Sequence, residues 1–442
     1  MIFEKIESEG LAHYSYMIGQ KGKAIVIDPR RDCRTYVQRA NRHELQITDI
    51  LETHRNEDYV IGSTELAART EAEIWHADNQ WNYQYGKPVE AGQIWELGQL
   101  QIKALHTPGH TPGHMSYVLT EGGGEPWMVF TGDSLFAGDV GRVDLLGMDR
   151  AEELAGKMYE TLFKTLLPLG DGVIICPAHG PGSVCGSMIA ERVWTTIGLE
   201  KNLNPYLQYD ERDGFVTKVA KKLERPPYFR EMERLNLQGA PLLGKPKALQ
   251  PISPGKIQDN LERYQILDVR DPLGFAAAHI PGSLSIWEEG VPSFAGWFLS
   301  YEKPIVLVKY GGDNLQLKKK LLRLGFDDVL GYLPQGVFTW HRSGRETDHI
   351  NVVSASRFQE MLQEEPPILD VRNPEELEEG SELSSATNIH LTQLPKNLDK
   401  VPQVDPLYVV CGSGLRSMTA ASFLQQRGWD NLTVVHGGLL SS

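Results

Sequence analysis

The stretch Thr53-His54-Arg55-Asn56-Glu57-Asp58-Tyr59 follows a segment in which Leu45, Ile47, Ile50 and Leu51 read as a short strand. His54 therefore projects from a strand end into a loop, where a rigid element fixes a metal ligand and the loop leaves room for what it binds. Working outward, the same arrangement recurs. His106-Thr-Pro-Gly-His110-Thr-Pro-Gly-His114 comes next, then Phe130-Thr-Gly-Asp133 after an apolar run, then Ile174-Ile175-Cys176-Pro-Ala-His179-Gly180. Each places a polar ligand type at the end of an expected strand, in a turn of Gly and Pro.

This succession resembles the metallo-β-lactamase fold, whose first motif is His-x-His-x-Asp-His. Here the motif reads His54, Asn56, Asp58, Tyr59, so its second and fourth imidazoles are missing. Zinc wants about four N, S or O ligands per ion, and the loss argues against the two-metal centre of a hydrolase. His54, His110 and Asp133 remain, and two imidazoles with one carboxylate suit non-haem iron(II) with open positions. The persulfide dioxygenase branch of the fold implies that these three hold a mononuclear iron, with zinc as the alternative. Gly132-Asp133-Ser-Leu-Phe136-Ala-Gly-Asp139-Val-Gly-Arg142-Val-Asp144 is similar to a segment of those dioxygenases, and Gly182-Ser183-Val-Cys185-Gly186 to one in their fused members, where the cysteine lies near the metal pocket.

The chain has 442 residues, enough for about three domains. Its net charge of -14 disfavours nucleic acid and anionic membrane as partners. No apolar stretch approaches the ~20 residues that span a bilayer. The acidic start, Met1-Ile-Phe-Glu-Lys-Ile-Glu-Ser-Glu, lacks a signal peptide's basic and apolar regions, so the cytoplasm is expected. Cys33, Cys176, Cys185 and Cys411 have no CxxC spacing, which suggests neither a zinc knuckle nor a disulfide framework.

In chain order, Ala24-Ile-Val-Ile-Asp28-Pro29 reads as a buried strand with a Pro stop, and Arg31 to Arg42 as a helix. Asp149 is expected to cap a helix whose Leu154, Met158, Leu162 and Leu166 line one face as core. The strand–helix alternation closes at His179, as an αββα sandwich requires. From about Gln238 to Gly255 the chain is rich in Pro, Gly and Lys and reads as a linker.

Beyond it the sequence repeats. Ile266-Leu-Asp268-Val-Arg270-Asp-Pro272 recurs as Ile368-Leu-Asp370-Val-Arg372-Asn-Pro374, and the same offset carries Val308-Lys309-Tyr310-Gly311-Gly312 onto Val410-Cys411-Gly412-Ser413-Gly414 and Gly336 onto Gly438. Two copies of one parallel α/β module follow, with a reactive loop between strand and helix. In Cys411-Gly412-Ser413-Gly414-Leu415-Arg416-Ser417, small residues let backbone N–H groups curl around the sulfur at a helix N-terminus, and Arg416 adds charge. This resembles the rhodanese sulfurtransferases, whose Cys-x-x-Gly-x-Arg loop carries a sulfane sulfur. The resemblance implies Cys411 and Arg416 as catalytic residues, with Gly412, Ser413, Gly414, Leu415 and Ser417 cradling substrate. In the first copy Lys309 replaces the cysteine and Asn314 the arginine, so that copy is expected to be structural or a docking module.

The expected architecture is thus α/β: a metallo-β-lactamase-fold persulfide dioxygenase-like domain at 1–240, an inactive rhodanese-like domain at 256–346 and an active one at 350–442, the latter two with parallel sheets. The implied partners are a small-molecule persulfide, a thiol, sulfite or thiosulfate, and O2. A homo-oligomer is expected. Asp58, His179 and Tyr59 are expected around the metal without ligating it, His179 reading equally as a relic of the second metal site. His106 and His114 read as turn or packing residues. Arg142 reads either as a binder of the carrier thiol's carboxylate or as the ion-pair partner of Asp139 or Asp144; Cys185 reads as a buried small residue or a substrate contact. Two further classes stay open: a zinc thioester hydrolase of the glyoxalase II type, with Glu57 or water replacing the lost histidines, and a metal-free scaffold serving a Cys411 transferase.

Overall fold

The computed structural model describes residues 1–122, 124–186, 188–209, 211–244, 248–312, 314–377, 383 and 386–439. The chain forms two compact units, residues 1–246 with 322–325, and residues 247–321 with 326–442. The sequence division at 346–350 thus falls inside the second unit, which holds both module copies.

In the first unit, strands β1 (Ile2–Ser8), β2 (His13–Gln20), β3 (Lys23–Ile27), β4 (Gln46–Leu51), β5 (Glu73–His76) and β6 (Lys87–Pro88) lie side by side in chain order. A second sheet runs β12 (Thr195–Thr196), β11 (Ile174–Pro177), β10 (Pro126–Gly132), β9 (Met115–Glu121), β8 (Leu100–His106), β7 (Ile94–Leu97). Alternation of side chains gives each sheet two apolar faces. Ile18, Ile25 and Leu51 meet Leu97, Ile102, Leu119 and Phe130 between the sheets. Outside the first sheet, Met17, Val26 and Ile50 pack on Tyr36, Ala40 and Leu66 of helices Arg34–Arg42 and Ser63–Thr70. Outside the second, Val129 and Ile175 pack on Leu154, Met158, Leu162 and Leu166. These are the four layers of the αββα sandwich.

Two local expectations change. The first helix starts at Arg34, not Arg31, because Asp28 turns with φ 48° and Arg31–Cys33 close a tight turn. Asp149 does not cap its helix: Met148–Glu160 begins after Gly147, whose φ of 102° sets the turn, and Asp149 lies in the first turn, where its charge still complements the dipole. The apolar stripe survives because the helix continues as a π turn over Thr161–Leu166.

The second unit contains two all-parallel sheets. Strands β13 (Gln250–Pro251), β14 (Gln265–Asp268), β15 (Leu284–Ser285), β16 (Ile305–Val308) and β17 (Val329–Leu333) are ordered β13-β17-β16-β14-β15. Strands β18 (Asn351–Ser354), β19 (Ile368–Asp370), β20 (Ala386–Asn388), β21 (Leu407–Val410) and β22 (Leu432–His436) are ordered β18-β22-β21-β19-β20. The order is the same in both, so the sequence repeat is a repeat of topology. β13 lies inside the stretch read as linker; the first module begins before Gly255. The repeated Asp-Val-Arg is a buried ion pair in each copy, Asp268–Arg270 and Asp370–Arg372, both at 2.6 Å. Among the described residues no helix is long and apolar enough to cross a membrane.

Candidate metal centre and sulfur-transfer loop

β4 ends at Leu51 and delivers His54; the turn between β8 and β9 delivers His110; β10 delivers Asp133; β11 delivers His179. All four side chains are fully buried. The Nε2 atoms of His54 and His110 lie 3.7 and 3.5 Å from Asp133 Oδ2, and none of the three has a hydrogen-bond partner. Buried polar atoms left unpaired cost free energy. Two imidazole nitrogens and a carboxylate oxygen converging without bonding are what a cation would satisfy, and the donor set suits one.

Hydrogen bonds behind the rings fix which nitrogen faces the centre. The Thr53 hydroxyl donates to Asp28 Oδ2 at 2.7 Å and so accepts from His54 Nδ1 at 2.8 Å. His110 Nδ1 donates to the Arg142 carbonyl at 2.8 Å. Both Nε2 atoms are thereby bare and aimed inward. The Arg142 carbonyl reaches His110 only because Gly141 precedes it: a Cβ there would lie 1.8 Å from the Asp133 carbonyl oxygen. Thr53→Val cuts the Asp28–Thr53–His54 chain without changing volume much. It is expected to weaken metal affinity roughly 10–100-fold with the fold retained, as read by competition with a chromophoric chelator.

His179 donates from Nδ1 to Asp133 Oδ1 at 2.7 Å and lies with Nε2 2.9 Å from Asp58. Burial opposes its charge, but Asp133 and Asp58 hold its pKa well above the ordinary value. Asp133 is held far below the carboxylate range by His179, His54 and His110, against the desolvation that would raise it. Tyr59 does not reach the metal position; its ring packs against His13 at 4.0 Å between centroids. Asn56 donates to the His54 carbonyl at 3.3 Å. His114 accepts from the Asp133 N–H at Nε2, which spends its lone pair, and burial lowers its pKa to about 3; it is a packing histidine. His106 lies outside, bonded to the Pro112 carbonyl.

Of the two roles open to Arg142, the structure shows the ion pair with Asp144. Its Nε and Nη2 pair with Asp144 at 2.7 and 2.9 Å, and its remaining bonds go to the carbonyls of Val184, Leu223 and Glu224. Only 5% exposed, it has no donor left for substrate. Cys185 lies in the centre: ligand atoms of His110, Asp133 and Cys185 fall within 4.8 Å of one another, as do those of Asp58, His179 and Cys185, and those of His54, Glu57 and His110. Burial, with Asp58, Asp133 and Glu57 close by, pushes its thiol well up. Cys33 and Cys176 are buried elsewhere, both pushed up to about 12 by desolvation.

Three residues with no motif hold the loop bearing His54. Asp78 accepts from the N–H groups of Arg55 and Gly113 and from the Thr111 hydroxyl, each at 2.8 Å, tying the two histidine loops together. Asn236, on helix Phe229–Gln238, accepts from the Ile61 N–H and donates to the carbonyls of Asn56 and Tyr59. Arg55 bonds Glu57 at 2.9 Å and Glu233 at 2.8 Å. An Asn or Asp that serves distant backbone has no local sequence signature.

In the second unit, Cys411 follows β21 and its Sγ is fully enclosed. The Gly414 N–H donates to it at 3.1 Å, the Ser417 N–H at 3.4 Å and the Ser417 hydroxyl at 3.5 Å. Gly414, at φ 90°, turns the loop into helix Leu415–Gln425. A Cβ on Gly438 would lie 2.2 Å from the Gly412 carbonyl oxygen, so the paired glycine of the repeat permits a close backbone approach to the loop. Ser413 is exposed at the crest, Leu415 and Arg416 half-buried. Arg416 makes a two-pronged pair with Glu376 at 2.6 and 2.7 Å, and the pair holds Glu376 down to about 2. In the first copy Lys309 Nζ sits 2.6 Å from Glu288 and Asn314 opens the following helix, so no sulfur nucleophile is present there.

A family model described as the metallo-beta-lactamase superfamily matches residues 9–179, and one described as the rhodanese-like domain matches 253–343 and 354–441. The chain is similar to hydroxyacylglutathione hydrolase GloC of Haemophilus influenzae, 31% identical over 209 residues that cover 42% of this chain and 87% of that protein. It is similar to a solved metallo-beta-lactamase from Staphylococcus aureus subsp. aureus COL, 29% identical, with a TM-score of 0.67 and coverage of 76% of this chain and 99% of that one. A structure of ETHE1 from Myxococcus xanthus is 28% identical, covering 53% of this chain and 98% of that one, with a TM-score of 0.47. The histidine–carboxylate pocket at the strand ends and the twice-built parallel module agree with the two family models and with the GloC relative: the chain belongs to the metallo-β-lactamase superfamily and carries two rhodanese-like domains.

Proposed function

We propose that the first unit is a non-haem iron dioxygenase that oxidises a low-molecular-weight persulfide to sulfite, and that Cys411 transfers sulfane sulfur in the same metabolism. The observation that carries this reading is the convergence of two bare imidazole nitrogens and one carboxylate oxygen, with Asn56 and Tyr59 where further imidazoles would stand. Such a two-histidine, one-carboxylate set leaves positions open. Iron(II) held there would supply dioxygen activation. The protein's own part is to hold the ligands in place, to keep the pocket dry and to orient the persulfide beside them, making an encounter a positioned step. His179, whose pKa Asp133 and Asp58 raise against the opposing effect of burial, donates to Asp133 at the edge of the pocket.

At the second site the Cys411 sulfur attacks the sulfane sulfur of a donor. With thiosulfate, the new Cys411–S bond forms as the S–SO3 bond breaks and sulfite leaves; with a persulfide the leaving group is the thiol, and sulfite can then take the sulfur as thiosulfate. The Gly414 and Ser417 N–H groups donate to the attacking Cys411 sulfur and so hold it in place. Glu376 neutralises Arg416 at the loop's mouth, so Glu376→Gln is expected to lower KM for the thiosulfate dianion. The pair is solvent-accessible and worth ~1 kcal/mol or less, which limits the effect to about fivefold, read in a thiosulfate:cyanide assay.

A zinc thioester hydrolase is the second reading. It is favoured by the relative that is a hydroxyacylglutathione hydrolase and by Glu57 standing within ligand range of His54 and His110. Oxygen uptake on adding glutathione persulfide to anaerobically iron-loaded protein separates the two. Uptake with sulfite or thiosulfate appearing, absent in His110→Ala, supports the dioxygenase. No uptake with any of a panel of persulfides, and turnover of S-lactoylglutathione by the zinc-loaded protein, overturns it.

A further inference from the structure

A cavity of about 500 Å³ opens at the surface of the first unit between three pieces of chain. Gln80 and Trp81 form one wall, Pro112 and Gly113 of the turn between β8 and β9 a second, and Leu146 and Arg150 a third. Its volume is that of a small-molecule site, in which apolar walls carry a few placed polar groups. Two features tie it to the metal centre. Pro112 lies two residues beyond His110 on the same turn, within about 7 Å of chain. Trp81 lies under the Arg55 guanidinium, 3.9 Å from its ring centroid, and Arg55 holds Glu57, whose Oε2 is 3.7 Å from His110 Nε2. Asp78, which ties the two histidine loops together, also accepts from Gln80 Nε2 at 2.9 Å.

We propose that this cavity binds the carrier part of the persulfide, an anionic, amide-bearing small thiol, with Arg150 as the cation that takes its acidic end. The inference rests on the persulfide reading of the first unit and supplies what Arg142, with every donor committed, does not. Arg150 is half-buried, and its bonds to Glu153 are long, 3.3 and 3.4 Å, while Lys157 is the closer partner of the same carboxylate. Its planar fork is therefore available to an incoming anion, which it can grip at two points. The other polar groups of the cavity are acceptors. Gln80 spends Nε2 on Asp78 and keeps Oε1, and Gly113 makes room for that oxygen, since a Cβ there would lie 2.4 Å from it. His106, on the same wall as Pro112, donates from Nε2 to the Pro112 carbonyl and keeps Nδ1 as an acceptor. One cation, two acceptors for N–H groups and an apolar wall of Trp81 and Leu146 match a thiol built on amides with an acid at one end. Three residues of extended chain reach about 10 Å, more than the step from Pro112 to His110, so a carrier lying in the cavity can extend its sulfur past the turn.

The test is titration calorimetry of the full-length, metal-loaded protein with S-methylglutathione and, separately, S-methyl coenzyme A, thioethers that cannot exchange with Cys411. Binding of one of them is expected, weakened about tenfold in Arg150→Glu, the low end for a hydrogen-bonded charge that is partly solvated. Which of the two binds tells a carboxylate carrier from a phosphate one. With the matching persulfide, the same variant raises KM for oxygen uptake rather than lowering kcat, and metal content and thiosulfate:cyanide transfer stay as they are. Binding of neither thioether, or a Kd that Arg150→Glu leaves unchanged, overturns the proposal. A thioether bound through Arg150 without oxygen uptake from its persulfide keeps the cavity and sinks the dioxygenase; uptake with a KM that the variant does not move sinks the cavity and keeps the dioxygenase.

Discussion

Asp133→Asn removes stoichiometric metal from the first unit and abolishes its turnover while leaving the fold in place. Among the described residues, Asp133 is the carboxylate that faces His54, His110 and His179 together. The amide is nearly isosteric, so packing is kept, but it carries no charge and turns a donor toward nitrogen lone pairs that need a cation. Disturbing a group behind a ligand already costs roughly 10–100-fold in affinity; loss of the ligand charge itself is expected to exceed about 100-fold. His179 loses its stronger ionic partner as well, so its proton leaves at lower pH than in the native protein. Metal content by elemental analysis, oxygen uptake and S-lactoylglutathione hydrolysis should all fall to background, while thiosulfate:cyanide transfer at Cys411 is unchanged. Metal retained at one equivalent by Asp133→Asn would remove this residue from the ligand set. The outcome is the same for an iron or a zinc centre, because it depends on the charge at the meeting point of three imidazoles.

His54, His110, Asp133 and His179 were legible because each is a ligand type at a strand end, and strand ends can be read from short apolar runs. Glu57 and Cys185 were harder. Glu57 occupies a spacer of the motif, where a side chain ordinarily points away; here Arg55 turns it inward by holding one oxygen. Cys185 belongs to an irregular segment after β11, and no periodicity predicts where such a segment returns. Asp78 and Asn236 bond backbone far from them in sequence, a role that carries no local pattern in a loop or a helix. The two readings open for Arg142 were separated only by counting its donors in three dimensions. The second half was more transparent, since a repeated Asp-Val-Arg and a repeated strand-to-loop register imply repeated topology, and both sheets have the same strand order. Its weak point was the linker, where Gln250–Pro251 is too short and too proline-bound to read as a strand but is ordered by its neighbour β17.

Cys411→Ser is expected to remove sulfur transfer almost entirely, by on the order of 10⁴-fold or more, because a nucleophile that forms the covalent intermediate has no substitute within its loop. Ser417 is the nearest oxygen and is already committed, donating to the Cys411 sulfur and lying 3.1 Å from the Gly414 carbonyl. Serine fits the enclosure, so the parallel sheet and the helix after Gly414 remain, and circular dichroism and thermal unfolding should match the native protein. The first copy cannot rescue the activity: its equivalent position is Lys309, paired with Glu288. Alkylation followed by mass spectrometry gives a second readout, a sulfur adduct on the peptide containing Cys411 after thiosulfate treatment that is absent in the variant. Oxygen uptake by the first unit should persist when a persulfide is supplied directly and fail when thiosulfate with a thiol is the only sulfur source. Persistence under both conditions would mean that Cys411 does not feed the metal centre, and the transfer would then run toward thiosulfate, downstream of sulfite release.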